Sequence, residues 1–155
     1  MKRLAFISLL FLGFTMLFYF VNSCKSHTTT NSIEGTWKMI YAETKENDSI
    51  EYKDLSNTNF IKILNDSHFA FFNQEHSGNE NFYGGAGIYQ LTGNDYTETL
   101  NYTSVEAIKN HKFSFKVEIK GDTLIQSGLE EVKSIGMKRE IIEKYVRIDA
   151  PLSNN

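Results

Sequence analysis

Between Gly84 and Gly128 apolar and polar residues take turns so regularly that the segment reads as consecutive antiparallel strands. In Phe113-Ser114-Phe115-Lys116-Val117-Glu118-Ile119 every second side chain is apolar, the period of a strand with one buried face. Tyr96, Leu100 and Tyr102 alternate in the same way with Thr97, Thr99, Asn101 and Thr103. The connections Gly93-Asn94-Asp95 and Lys120-Gly121-Asp122 supply residues that tolerate the positive φ of tight hairpins.

The same signals recur on both sides of this meander. Gly35-Thr36-Trp37-Lys38-Met39-Ile40-Tyr41 predicts a strand with Trp37, Met39 and Tyr41 on one face. Residues 60–64 and 68–73 are short apolar strands joined by Asn65-Asp66-Ser67. Residues 82–92 contain Gly84, Gly85 and Gly87, which suit a sheet that bends sharply. Strands over 96–103, 111–119, 123–129 and 139–148 bring the count to eight, and Pro151 ends regular structure. Ser104 is an N-cap residue ahead of one helical turn.

Long polar connections at 43–59, 74–81, 104–110 and 130–138 alternate with tight ones. Within the first of them Ile50, Tyr52 and Leu55 mark a partly packed loop. In an up-and-down meander alternate connections lie at opposite ends, so the long loops gather at one end. Eight antiparallel strands close most naturally into a barrel, which leaves no free edge. The expected fold is therefore all-β: an eight-stranded up-and-down antiparallel barrel, pinched by hairpins at one end and framed by loops at the other.

The first 23 residues do not belong to that barrel. Lys2 and Arg3 precede an uncharged apolar run over 4–21, then Asn22-Ser23-Cys24, the plan of a secretory signal. Cys24 is the single cysteine, so the mature chain has no internal disulfide. Val21-Asn22-Ser23-Cys24 resembles a relaxed lipobox of bacterial lipoproteins, in which the cysteine is acylated and becomes the mature N-terminus. The alternative is an uncleaved anchor, since a bilayer is spanned by roughly 18–20 apolar residues. Either arrangement tethers the domain to a membrane. The expected organisation is a signal peptide over 1–23, lipidated Cys24 and a flexible tether over 24–32, the barrel over 33–149 and a tail over 150–155.

Loss of residues 1–23 removes two of 16 basic residues and none of 19 acidic ones, leaving a net charge of −5. The charges are interspersed with no basic stripe, which argues against nucleic acid and anionic headgroups as partners.

Gly35-Thr36-Trp37 on the first strand and Arg147 near the end of the last resemble the GxW signature and the closing arginine of lipocalins. The sequence from residue 33 to 148 is similar to small lipocalin-like domains of bacterial secreted proteins and lipoproteins. It departs from the larger lipocalins in lacking their disulfides and the helix after the last strand. The resemblance implies that Trp37 and Arg147 meet where the last strand closes against the first, and that the barrel is a container for a small hydrophobic molecule.

Strand parity adds candidates. If Tyr96, Leu100 and Tyr102 point inward, so does Glu98; if Tyr145 and Arg147 point inward, so does Glu143. A buried carboxylate must be paired, hydrogen-bonded or protonated. One reading is an internal network in which Arg147 and tyrosine hydroxyls hold Glu98 or Glu143; the other is a polar anchor inside a pocket. The candidate ligand-binding residues are Tyr89, Tyr96, Glu98, Leu100, Tyr102, Phe115, Glu143 and Tyr145. Fifteen aromatic residues follow Cys24, enough either to line a cavity or to fill the core.

The sequence offers no catalytic constellation. His27, His68, His76 and His111 are scattered without ligand spacing, so neither a metal site nor a cofactor is expected. No Gly-x-Ser-x-Gly elbow occurs, and nothing marks a saccharide cleft for an acid pair. The expected function is a membrane-anchored lipocalin-like protein of the bacterial cell envelope that binds a small hydrophobic ligand and is not an enzyme. The alternative is an envelope interaction or structural lipoprotein with a filled barrel and no ligand. With the tether entering at Ile33, the pinched end, the loop-framed mouth should face away from the membrane.

Overall fold

A computed structural model describes residues 32–148. The expected signal peptide, Cys24, the tether up to residue 31, residue 149 of the expected barrel and the tail over 150–155 lie outside the described residues. One antiparallel sheet contains β1 (Gly35–Glu46), β2 (Ser49–Tyr52), β3 (Thr58–Leu64), β4 (His68–Glu75), β5 (Tyr83–Thr92), β6 (Asp95–Thr103), β7 (Lys112–Lys120), β8 (Thr123–Val132) and β9 (Met137–Arg147). From β3 to β9 each strand pairs with the next, β1 pairs with β3, and β1 also pairs with β9. Eight strands thus close the antiparallel barrel that the alternation implied, and β2 stands outside the closure.

β1 is long enough to serve three neighbours. Gly35 to Lys38 pair with β3, Trp37 to Lys45 with β9, and Glu43 to Glu46 with β2. The β1–β2 hairpin replaces the first part of the loop expected over 43–59. Asn47 and Asp48 make its turn with φ of 47° and 64°, the two positive values that a two-residue type I′ turn requires. On β2, Ile50 and Tyr52 are exposed, Leu55 packs against the core, and the Tyr52 ring lies 6.0 Å from that of Tyr41.

Gly93 and Gly121, each with φ of 60°, make the tight turns after β5 and β7. The helical turn expected after Ser104 is a short 3-10 segment over Glu106–Ile108, but its N-cap residue is Val105, not Ser104, and no side chain caps it. A second one, Lys133–Ile135, joins β8 to β9.

Two bulges reset the inward face. Between Met39 and Tyr41 the pairing of β1 with β9 shifts by one residue at Ile40. Trp37 and Met39 stay buried, whereas Tyr41, expected beside them, turns outward to pair with Lys144, and Ala42 packs against the core. A second shift, at Asn101, lies where Gly87 faces Leu100 and Ala86 faces Tyr102. A Cβ on Gly87 would lie 1.8 Å from the Thr99 carbonyl oxygen, so only glycine admits the β6 backbone this close.

The hairpin end is sealed by Trp37, whose side chain is fully buried. Its indole N–H donates to the Ile33 carbonyl at 2.8 Å, and the Arg147 guanidinium lies 4.2 Å from the ring centroid. Arg147 also donates to the carbonyls of Glu34 (2.6 Å) and Ser32 (2.8 Å). Arg147 therefore serves the seam and the entry of the chain, not the acidic groups of the interior with which the parity reading had grouped it.

Candidate ligand-binding cavity

Inward positions on β3, β6 and β8 meet halfway along the barrel. On β3, Phe60, Lys62 and Leu64 share the buried face, which puts a lysine in the interior with 3% of its surface exposed. Its ammonium donates to Glu98 Oε2 at 3.1 Å and to Gln126 Oε1 at 2.7 Å. On the sealed side the same ammonium lies 5.0 Å from the Tyr96 ring centroid and 5.6 Å from that of Phe69, within range of a cation–π attraction. The Tyr96 hydroxyl donates to Glu98 Oε2 at 3.0 Å. Every charge buried here has a partner of opposite sign or a dipole, the condition for holding ions away from water.

Above this polar floor lies a cavity of about 240 Å³. That far exceeds the roughly 10–15 Å³ that one water needs and falls just below the ~300 Å³ at which drug-sized pockets begin. Phe60, Phe71, Leu100, Phe113 and Tyr145 form much of its wall. Residues of the loop end, among them Tyr83, Val105, Ile108 and Met137, frame the opening. Near that opening Arg139 Nε donates to Glu130 Oε2 at 2.6 Å.

Glu143 also lines the cavity. Its Oε2 accepts the Tyr145 hydroxyl at 2.6 Å, while no lysine or arginine among the described residues stands within ion-pair distance of it. Burial raises the Glu143 carboxyl above its ordinary range, against the opposing pull of Lys62 and the Tyr145 hydroxyl. Burial likewise raises the Tyr145 phenol well above its usual value, reinforced by Glu143, and raises Tyr96, reinforced by Glu98.

The residues singled out from parity separate into four places. Glu98, Leu100, Glu143 and Tyr145 line the cavity. Tyr96 and Phe115 are buried core residues outside its lining. Tyr89 sits at the hairpin end, its hydroxyl on the Asn65 carbonyl and its ring 5.3 Å from that of Tyr96. Tyr102 is 71% exposed, because the extra residue at Asn101 turns it outward and puts Thr103 on the cavity side.

Lys62 and Gln126 were missed. The signal was available: Lys62 occupies the inward parity of Phe60 and Leu64, and Gln126 that of Leu124. Among the described residues no group of three or more His, Cys, Asp and Glu side chains converges as a metal site would.

A family described as "Domain of unknown function (DUF4488)" matches residues 32–154. The structure is similar to that of a lipocalin-like protein from Bacteroides uniformis, with 16% identity and a TM-score of 0.46 over 74% of this chain and 97% of that one. It is similar also to an uncharacterized protein from Bacteroides eggerthii, with 18% identity and a TM-score of 0.46 over 74% of this chain and all of that one. A comparison with curated proteins finds no match.

Proposed function

The chain belongs to the DUF4488 family, and we propose that its barrel is a binding protein for a small, largely apolar molecule held in the cavity above Lys62. The observation that carries this reading is the combination of open volume and chemistry. The interior keeps about 240 Å³ free, with aromatic walls and a fixed polar floor, the usual composition of a small-molecule site. A barrel meant only as a scaffold gains stability by filling such space, since each lost contact weakens packing.

The resemblance of Val21-Asn22-Ser23-Cys24 to a lipobox extends the proposal to a lipid-anchored protein of the bacterial cell envelope, acting by binding rather than catalysis. Native mass spectrometry of the purified domain tests the central point. We expect a co-purifying small molecule that is lost when Leu100, on the cavity wall, is replaced by Trp. A wild-type domain that carries no such molecule, and whose thermal stability no small aromatic compound raises, would remove the container function.

A further inference from the structure

The polar groups around the cavity differ in how much of their bonding capacity is already used. Lys62 is satisfied by Glu98 and Gln126 on one side and by the rings of Tyr96 and Phe69 on the other. Its side chain is 4% exposed, so an incoming anion finds little of it to contact. Arg139 is engaged by Glu130. Glu143 alone among the cavity's charged residues has no ion-pair partner among the described residues, and only its Oε2 accepts a hydrogen bond there. Around it stand Lys62 on β3 and Glu98 and Tyr96 on β6, Gln126 and Glu130 on the adjacent strand β8, and Tyr145 and Arg139 on its own strand.

The cavity lining therefore holds three carboxylates, Glu98, Glu130 and Glu143, against two cations, Lys62 and Arg139. The two cations are spent on the first two carboxylates. The surrounding walls offer aromatic faces at Phe60, Phe71, Phe113 and Tyr145, whose negative centres attract cations and are indifferent or repulsive to anions.

Resting on the container reading above, we propose that the cavity selects a compact organic ammonium: an apolar or aromatic body carrying one amine, with the amine on Glu143 and the body against the aromatic wall. An ammonium brings the missing positive charge and the donor that the free Glu143 oxygen lacks. A carboxylate of the same shape brings a fourth negative charge to a site with no available cation. Water is displaced from the apolar wall in both cases, so head-group charge decides between them. The raised Glu143 carboxyl adds a pH signature: ionisation is needed for the ion pair, so amine affinity rises with pH through the titration of Glu143 and then levels.

Three probes of matched shape test this: 2-phenylethylamine, 2-phenylethanol and 3-phenylpropionate, each titrated calorimetrically into the purified domain. The expected order is amine tighter than alcohol, with the carboxylate not binding. Glu143→Gln should weaken the amine about tenfold or more, the scale of a hydrogen bond to a charged group, and leave the alcohol within a factor of about two. Tyr102→Ala, on the outer surface, should change neither. Binding of the carboxylate as tightly as the amine, or an amine affinity indifferent to Glu143→Gln in a folded variant, would overturn the proposal while leaving the container intact. Absence of binding by all three probes would overturn the proposal and the container reading together.

Discussion

Lys62 and Glu98 reach across the barrel from β3 and β6 to place an ammonium nitrogen 3.1 Å from a carboxylate oxygen, with both side chains nearly sealed from solvent. Such a pair is a poor source of net stability but a strict one, because either partner left alone is a buried uncompensated charge. Lys62→Met should therefore lower unfolding free energy by about 3–5 kcal/mol. Adding Glu98→Gln should recover a large part of that loss. Urea denaturation of the two variants and the wild type measures both, and a double variant as unstable as the single one would contradict the pairing.

Glu143 gives a pH dependence of definite sign. Its carboxyl is raised in the folded barrel, chiefly by burial, so over the interval between the unfolded and folded values the folded chain holds a proton that the unfolded chain has lost. Stability from this group is fully present below the ordinary carboxylate value, falls as pH rises through the raised one, and stays lower above it. Glu143→Gln should accordingly raise the melting temperature at pH 7.5 and lose that advantage near pH 4. A variant less stable than wild type at both pH values would show that the carboxylate is compensated in a way the geometry does not display.

Gly87→Ala should be the most disruptive glycine substitution on β5. The new methyl carbon would lie 1.8 Å from a backbone oxygen of Thr99, and backbone cannot step aside as a side chain can. A loss of about 3 kcal/mol, the upper part of the overpacking range, is expected. Gly78→Ala is the control: nothing lies within 4 Å of its added carbon, and its effect should stay within about 0.5 kcal/mol. Thermal unfolding of the pair gives the comparison.

Arg147→Ala removes a cation 4.2 Å from the Trp37 ring and two hydrogen bonds to carbonyls at the chain's entry. A loss of about 2–3 kcal/mol follows from a partly buried cation–π contact and charged hydrogen bonds together. Trp37 is the one tryptophan of the sequence, so its emission reports on the seam directly and should shift to longer wavelength as water reaches the indole. Unchanged emission would mean that other groups keep the plug dry.

Much of the architecture could be read from residue order because a closed sheet repeats one rule eight times. Phe113, Phe115 and Val117 are all buried on β7, as their alternation requires. The rule fails where a single extra residue enters a strand. Neither Ile40 nor Asn101 carries a composition that marks a bulge, yet each reverses parity beyond it, which sent Tyr41 and Tyr102 to the outside. The β1–β2 hairpin escaped for another reason: the end of β1 that pairs with it, Glu43–Glu46, is polar, and β2 is only four residues long.

Part of the site was legible and part was not. Glu98 and Glu143 follow from parity, but Lys62, the partner of Glu98, lay inside a run that reads as apolar, Phe60 to Leu64. The sequence could not tell a hollow barrel from a filled one, because that depends on how rings from different strands interlock. Phe60 stacks nearly parallel to Phe71 with 5.6 Å between centroids, and Phe69 to Phe71 at 6.4 Å. The first of these stacks joins adjacent strands, a pairing that no linear pattern reports.

The pairing of Trp37 with Arg147 also brings together the points where the chain enters and leaves the wall: Ile148 N–H donates to the Thr36 carbonyl at 2.8 Å, and Arg147 touches Ser32. A ring closed in this way has no obligatory beginning. Residues 148 and 32 joined by a short linker, with the backbone cut instead in the loop around Gly78, would present the same neighbours in a rotated order, and the permuted protein should recover the same ladder of strands.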